Sequence, residues 1–139
     1  MSIKKVNHKG HTFLTVSNNK NLAITFCDYG ASIYAVKYKG KVVTYHEENY
    51  DAFLKSNKYS GKTLGRVAGR IKDGLVKINN KTYQLEKNEG SKNIHGGSHS
   101  LSHTVFSLVD TEETEEYSKV TLSATLPDNL DGWPGNRNF

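Results

Sequence analysis

An arginine and a histidine stand in this sequence where neither packing nor turn formation needs them. Arg70 lies in the run Gly65-Arg66-Val67-Ala68-Gly69-Arg70-Ile71, and His95 in Asn93-Ile94-His95-Gly96-Gly97. A guanidinium carries five N–H donors in a rigid planar fork and a permanent charge, so it can span neighbouring oxygens. An imidazole donates from one ring nitrogen and accepts at the other, and its ordinary pKa lies nearest neutrality. Gly96 and Gly97 let the backbone bend sharply after His95 and turn the ring into a concavity. The pair suits a ring studded with hydroxyls, as in a cyclic sugar. Taken singly, each segment is equally an irregular turn with solvated side chains, because short glycine motifs are weak signals.

Other chemistries fit less well. His95, His99 and His103 recur every four residues, which on a helix would stack three imidazoles and invite a metal. Gly96, Gly97 and the serines at 98, 100 and 102 oppose a helix. No cysteine or nearby carboxylate completes a ligand set, so no metal is expected, and His99 and His103 are assigned to the surface or to strands. The chain has no Gly-x-Ser-x-Gly elbow, and its lone Cys27, with apolar Ile24 and Phe26 just before it, is expected to fill a small core space. Gly65 to Gly69 matches neither a phosphate loop nor a dinucleotide fingerprint, and no cofactor is implied. Trp133 could stack on a sugar face, but Pro134-Gly135 fits the centre of a type II turn, which favours a loop anchor.

Charge excludes a further class. The formal charge of +5 comes from lysines scattered singly, without arginine clusters or interleaved aromatics, so no nucleic-acid partner is expected. The acidic run Asp110 to Glu116 is expected to be a solvated hairpin tip. No window approaches a membrane span and no signal-peptide stretch follows the N-terminal lysines, which makes a cytoplasmic location the default expectation.

These side chains must be held by strands. Apolar residues alternate at period two between turn residues, so the protein is expected to be all-β and antiparallel, a sandwich or barrel. Expected strands are Thr12 to Ser17, Leu22 to Phe26, Ser32 to Tyr38, Val42 to Tyr45, Leu75 to Ile78 and Thr82 to Leu85. The clearest runs from Val120 to Leu126, with His103 to Val109 as its partner. Asn79-Asn80 tolerates the left-handed backbone of a tight hairpin, and a short helix is expected at Asp51 to Ser56, capped by Asn49 or Asp51.

The two site motifs, in this order and spacing, resemble the aldose 1-epimerase (galactose mutarotase) family. Further segments are similar to it: Asp28-Tyr29-Gly30-Ala31-Ser32-Ile33, the stretch from Asn49-Tyr50 through Gly61, and Asp131-Gly132-Trp133-Pro134-Gly135-Asn136. Gly69 departs from the pattern, since many relatives carry asparagine there. The resemblance implies a β-sandwich of the galactose mutarotase type, of which residues 1–139 would be the N-terminal part of a single domain. It implies interconversion of the α and β anomers of aldohexoses such as galactose and glucose. Arg70 and His95 would bind the hexose substrate, while the catalytic acid, a second histidine, and the base, a glutamate, would lie beyond residue 139. A fold of which this is a part would leave an apolar face and unpaired strand edges uncovered. Two alternatives stay open: a non-catalytic carbohydrate-binding β-module, and a relative acting on hexose 6-phosphates.

Overall fold

A computed structural model describes residues 2–139. Its first strands form one antiparallel sheet in chain order: β1 (Ser2–His8), β2 (His11–Ser17), β3 (Leu22–Cys27), β4 (Ser32–Tyr38) and the short β5 (Lys41–Val42). Tight turns such as Lys39-Gly40 link them, with φ of 48° and 76° in the region that Gly adopts without strain. Phe13 pairs with Cys27, Leu14 with Phe26 and Val16 with Ile24. Because strand side chains alternate, Phe13 and Cys27 share one face and Leu14, Val16, Ile24 and Phe26 the other.

The first face is covered. Helix α1 (Tyr50–Lys55) lies on it, so that Phe13, Cys27 and Phe53 form a core cluster with Tyr29, Tyr34, Tyr50 and Leu54 around it. Tyr50 stacks on Phe13 at 3.7 Å between ring centroids. Asn49 caps the helix, its Oδ1 accepting the Ala52 N–H at 2.9 Å. Cys27 is 0% exposed, and burial, the chief cause, pushes its thiol up to about 12, as a core filler requires.

The remaining strands pair two by two. β6 (Arg70–Ile71) pairs with β9 (Asn93–Ile94), and β7 (Leu75–Ile78) with β8 (Lys81–Gln84). The second pair turns at Asn79-Asn80, both left-handed as their side chains allow. β10 (Ser107–Glu113) pairs with β11 (Ser118–Ser123), and β12 (Thr125–Leu126) with β13 (Arg137–Asn138). Leu101, Phe106, Ala124 and Leu126 make a second core cluster. The second face of the five-stranded sheet looks toward β11 across an open cleft. One cavity of about 600 Å³ is lined by Val16, Leu22, Ile24 and Tyr117, among others. A neighbouring one of about 420 Å³ is lined by Val16, Ile24, Phe26, Val120 and Leu122.

Three expectations need correction. The strand expected at Val42 to Tyr45 stops at Val42, because the Thr44 hydroxyl, rather than a ladder carbonyl, accepts the Val36 N–H at 3.0 Å. The strand from Val120 to Leu126 is two strands, since Ala124 exchanges both backbone hydrogen bonds with Phe139 and the partner changes from β10 to β13. The partner of β11 begins at Ser107 rather than His103, which sits in a 3₁₀ turn. Asp110 to Glu113 are therefore strand residues, and only the following residues form the tip. No helix among the described residues is long and apolar enough to cross a membrane.

Candidate functional site

The two-residue ladder of β6 and β9 brings the site motifs together. Arg70 pairs with Ile94, and one residue further His95 donates its N–H to the Gly69 carbonyl at 2.9 Å. In return the Gly69 N–H donates to Nδ1 of the His95 ring at 3.0 Å. This fixes the ring and its tautomer, since Nδ1 must present a lone pair and Nε2 carries the proton. His95 itself has φ 52° and Gly96 follows at 90°. A Cβ on Gly96 would stand 2.4 Å from the Gly65 carbonyl oxygen, so the loop can approach the arginine run only because this residue is glycine.

Arg70 is exposed and forms a fork with Glu89, Nη2 donating to Oε1 at 2.8 Å and Nε to Oε2. Glu89 raises the guanidinium pKa, and Arg70 in turn holds the carboxylate below its usual range, His95 adding to the effect. The fork occupies one edge of the guanidinium and leaves Nη1 on the other. The edge of Tyr59 meets the His95 ring at 4.6 Å between centroids. Behind it the rings continue through His103, 5.8 Å from Tyr59, to Tyr29, 6.3 Å further. Burial, with the neighbouring Lys62 charge, lowers the His103 pKa. Lys62 is 7% exposed and holds its ammonium 4.6 Å over the Tyr29 ring.

Arg66, the first arginine of the run, acts otherwise. Its guanidinium donates to three backbone carbonyls, those of Pro127, Pro134 and Gly135, at 2.7 to 3.1 Å. It ties the Asp131 to Asn136 loop to the site. Trp133 closes the same joint, 7% exposed, with its indole N–H donating to the Gly96 carbonyl at 2.8 Å. Its ring is thus an anchor and offers no open face for stacking.

The three histidines spaced four apart disperse. His95 meets Gly69 and Tyr59, His103 is half-buried between two tyrosines rather than on the surface or in a strand, and only His99 is exposed. His99 joins Glu86 and Asp131, the three offering ligand-type atoms within 4.8 Å of one another. Both carboxylates already accept hydrogen bonds from neighbouring protein groups. Glu86 accepts from the Ser98 N–H and hydroxyl, and Asp131 from the His99 N–H and Nδ1, both at 2.8 Å. Asp131 raises the His99 pKa, so the imidazolium serves as counter-cation to the two carboxylates.

The sequence offers Arg70 and His95 as candidates, and the structure sets Glu89, Tyr59 and His103 around them and gives Arg66 a clamping role, none of which the sequence signals. Tyr59 lies in a segment that resembled the family, yet nothing in its type or spacing separates it from seven other tyrosines.

An antiparallel β-sandwich that carries its polar groups on loops where short strand pairs meet defines the class of protein. The particular family follows from comparison. The family described as Aldose 1-epimerase matches residues 12–138, and the chain belongs to it. It is 27% identical over 139 residues to the aldose 1-epimerase of Streptococcus thermophilus, covering 96% of this chain and 40% of that protein. It is 29% identical over 119 residues to the bifunctional protein gal10 of Schizosaccharomyces pombe, covering 84% of this chain and 17% of that one. Among solved structures, the galactose 1-epimerase of Lactobacillus acidophilus NCFM superposes with a TM-score of 0.88 at 27% identity, covering 99% of this chain and 42% of that one. The GalM/aldose epimerase homologue from C. elegans superposes at 0.80 with 27% identity, covering 91% and 39%. The chain thus spans less than half the length of these relatives. The fold is of the galactose mutarotase type.

Proposed function

We propose that this chain supplies the hexose-holding part of an aldose 1-epimerase, with Arg70 and His95 binding the hydroxyls and ring oxygen of an aldohexose such as galactose or glucose. One observation carries the reading: Gly69 and His95 lock each other beside the β6–β9 ladder that holds Arg70, so that a protonated Nε2 is presented on the loop after β9. Mutarotation needs a proton delivered to the ring oxygen and another taken from the anomeric hydroxyl, after which C1–C2 rotates and the ring closes on the other face. Arg70 and His95 contribute positioning to that reaction. The proton transfers fall to a histidine and a glutamate that the family resemblance places outside these residues, so the 139 residues are expected to bind sugar with little rate enhancement of their own.

Galactose titrated into the isotope-labelled chain is expected to shift the His95 ring and Arg70 side-chain resonances saturably, and Arg70→Ala or His95→Ala is expected to weaken binding at least tenfold. Polarimetry of freshly dissolved α-galactose measures the rate in parallel. Shifts that spare both residues, or binding unchanged in both variants, would sink the assignment.

A further inference from the structure

Glu89 fills a place on Arg70 that a ligand anion would otherwise take. The paired N–H groups of a guanidinium match a carboxylate or phosphate, whose oxygens accept two parallel hydrogen bonds. On Arg70 the Nε and Nη2 pair is already held by the two oxygens of Glu89. Two side chains 54% and 40% exposed would ordinarily make a weak pair, because water competes for both and each must be held in one geometry. The loop around Glu89 changes this. Asn88, just before it, clamps Ile94 of β9, accepting the Ile94 N–H at 2.8 Å and donating to the Ile94 carbonyl at 3.0 Å. Glu89 and Lys92 then exchange both backbone hydrogen bonds, at 3.0 and 3.1 Å, around a turn with Gly90 at φ 59°. Ile94 is also the register partner of Arg70, so carboxylate and guanidinium stand on segments that flank one residue. The fork is built into the fold rather than made by two loose surface side chains.

We propose that Glu89 is a specificity-determining residue of this site, a built-in counter-ion that leaves Arg70 open to neutral hydroxyls and closes it to sugars bearing a carboxylate or phosphate. The inference rests on the functional reading above. A hydroxyl can still accept from Nη1, which lies outside the fork. An anion arriving there meets a guanidinium whose charge is already matched, with a carboxylate of its own sign beside it. Discrimination of this kind works by repelling the wrong ligand as well as by holding the right one. The Lys92 ammonium also acts on Glu89, but it offers a point charge on a flexible stem and not the planar donor pair that an oxyanion takes. Glu89 works through Arg70 and is a positioning residue, so its signature is a change in selectivity between ligands and not a loss of binding to all of them.

The test titrates galactose and galacturonate, which differ by a hydroxymethyl group against a carboxylate, into the 139-residue chain at low ionic strength, with affinities read from NMR shifts. The unmutated chain is expected to prefer galactose at least tenfold. In Glu89→Gln the ratio of galacturonate to galactose affinity should rise at least tenfold, and in the double variant Glu89→Gln with Arg70→Gln that gain should vanish. Glu89→Asp, which keeps the charge, should restore the preference for galactose. An unmutated chain that binds both sugars alike, a ratio unmoved by Glu89→Gln, or a gain that survives the loss of Arg70 would each overturn the inference. A merely structural Glu89 would weaken both sugars together and leave the ratio where it was. Galacturonate bound through Arg70 only after Glu89→Gln, with galactose bound by neither form, would leave the role of Glu89 standing and remove the hexose reading instead. No binding of either sugar to any form would remove both.

Discussion

Two arginines four residues apart belong to regions built on opposite terms. Around Arg66 the groups are committed to structure: Nη1 and Nη2 donate to backbone carbonyls, Trp133 closes the joint, and Gly96 is pressed against the Gly65 carbonyl. Around Arg70 capacity is left over. Its partner is an exposed carboxylate, and the neighbouring His95 is anchored through one ring nitrogen only. The difference separates a structural clamp from an exposed donor with capacity to spare within a single motif, a separation that residue type alone does not make.

Substitutions can break or sharpen that contrast. The largest effect is expected for Gly96→Ala, which forces a methyl into backbone at a positive φ and should cost about 3 kcal/mol or more in chemical denaturation. Arg66→Ala should follow at about 2 kcal/mol, since it frees several carbonyls together and releases the Asp131 to Asn136 loop. Arg70→Ala should move the melting temperature by no more than a few degrees, because exposed ion pairs contribute little, while removing hexose binding. An Arg70→Ala protein as destabilised as Arg66→Ala would erase the distinction.

The smallest effect concerns His99. Its pKa is raised by Asp131, so its contribution is fully present below the ordinary histidine value and is lost as pH rises through the folded value. The wild-type advantage over His99→Gln in melting temperature should therefore exist at pH 6 and disappear by about pH 9. A constant difference across that range would assign the contribution of His99 to packing.

Much of the architecture was legible because period-two alternation and turn residues are local signals. Ser32 to Tyr38 and Leu75 to Ile78 appear as expected, and the Asn79-Asn80 turn follows from what asparagine tolerates. The errors arose where a partner from far along the chain decides. Ala124 is apolar and in phase, yet Phe139 captures its backbone and ends the strand. Arg70 and His95 stand out in the sequence as candidates through resemblance and chemistry. Glu89 was not, since one acid in a loop rich in Glu and Lys carries no mark of the arginine it will meet. Arg66 was obscure for the same reason, as its acceptors are carbonyls more than sixty positions away.

The sealed sulfur of Cys27 gives the molecule a clock of its own. Held in the core with its proton tightly retained, it should react with a maleimide only when the layer beneath α1 parts, so the labelling rate reports how often that happens. Because the chain has a single thiol, no substitution is needed to start the measurement.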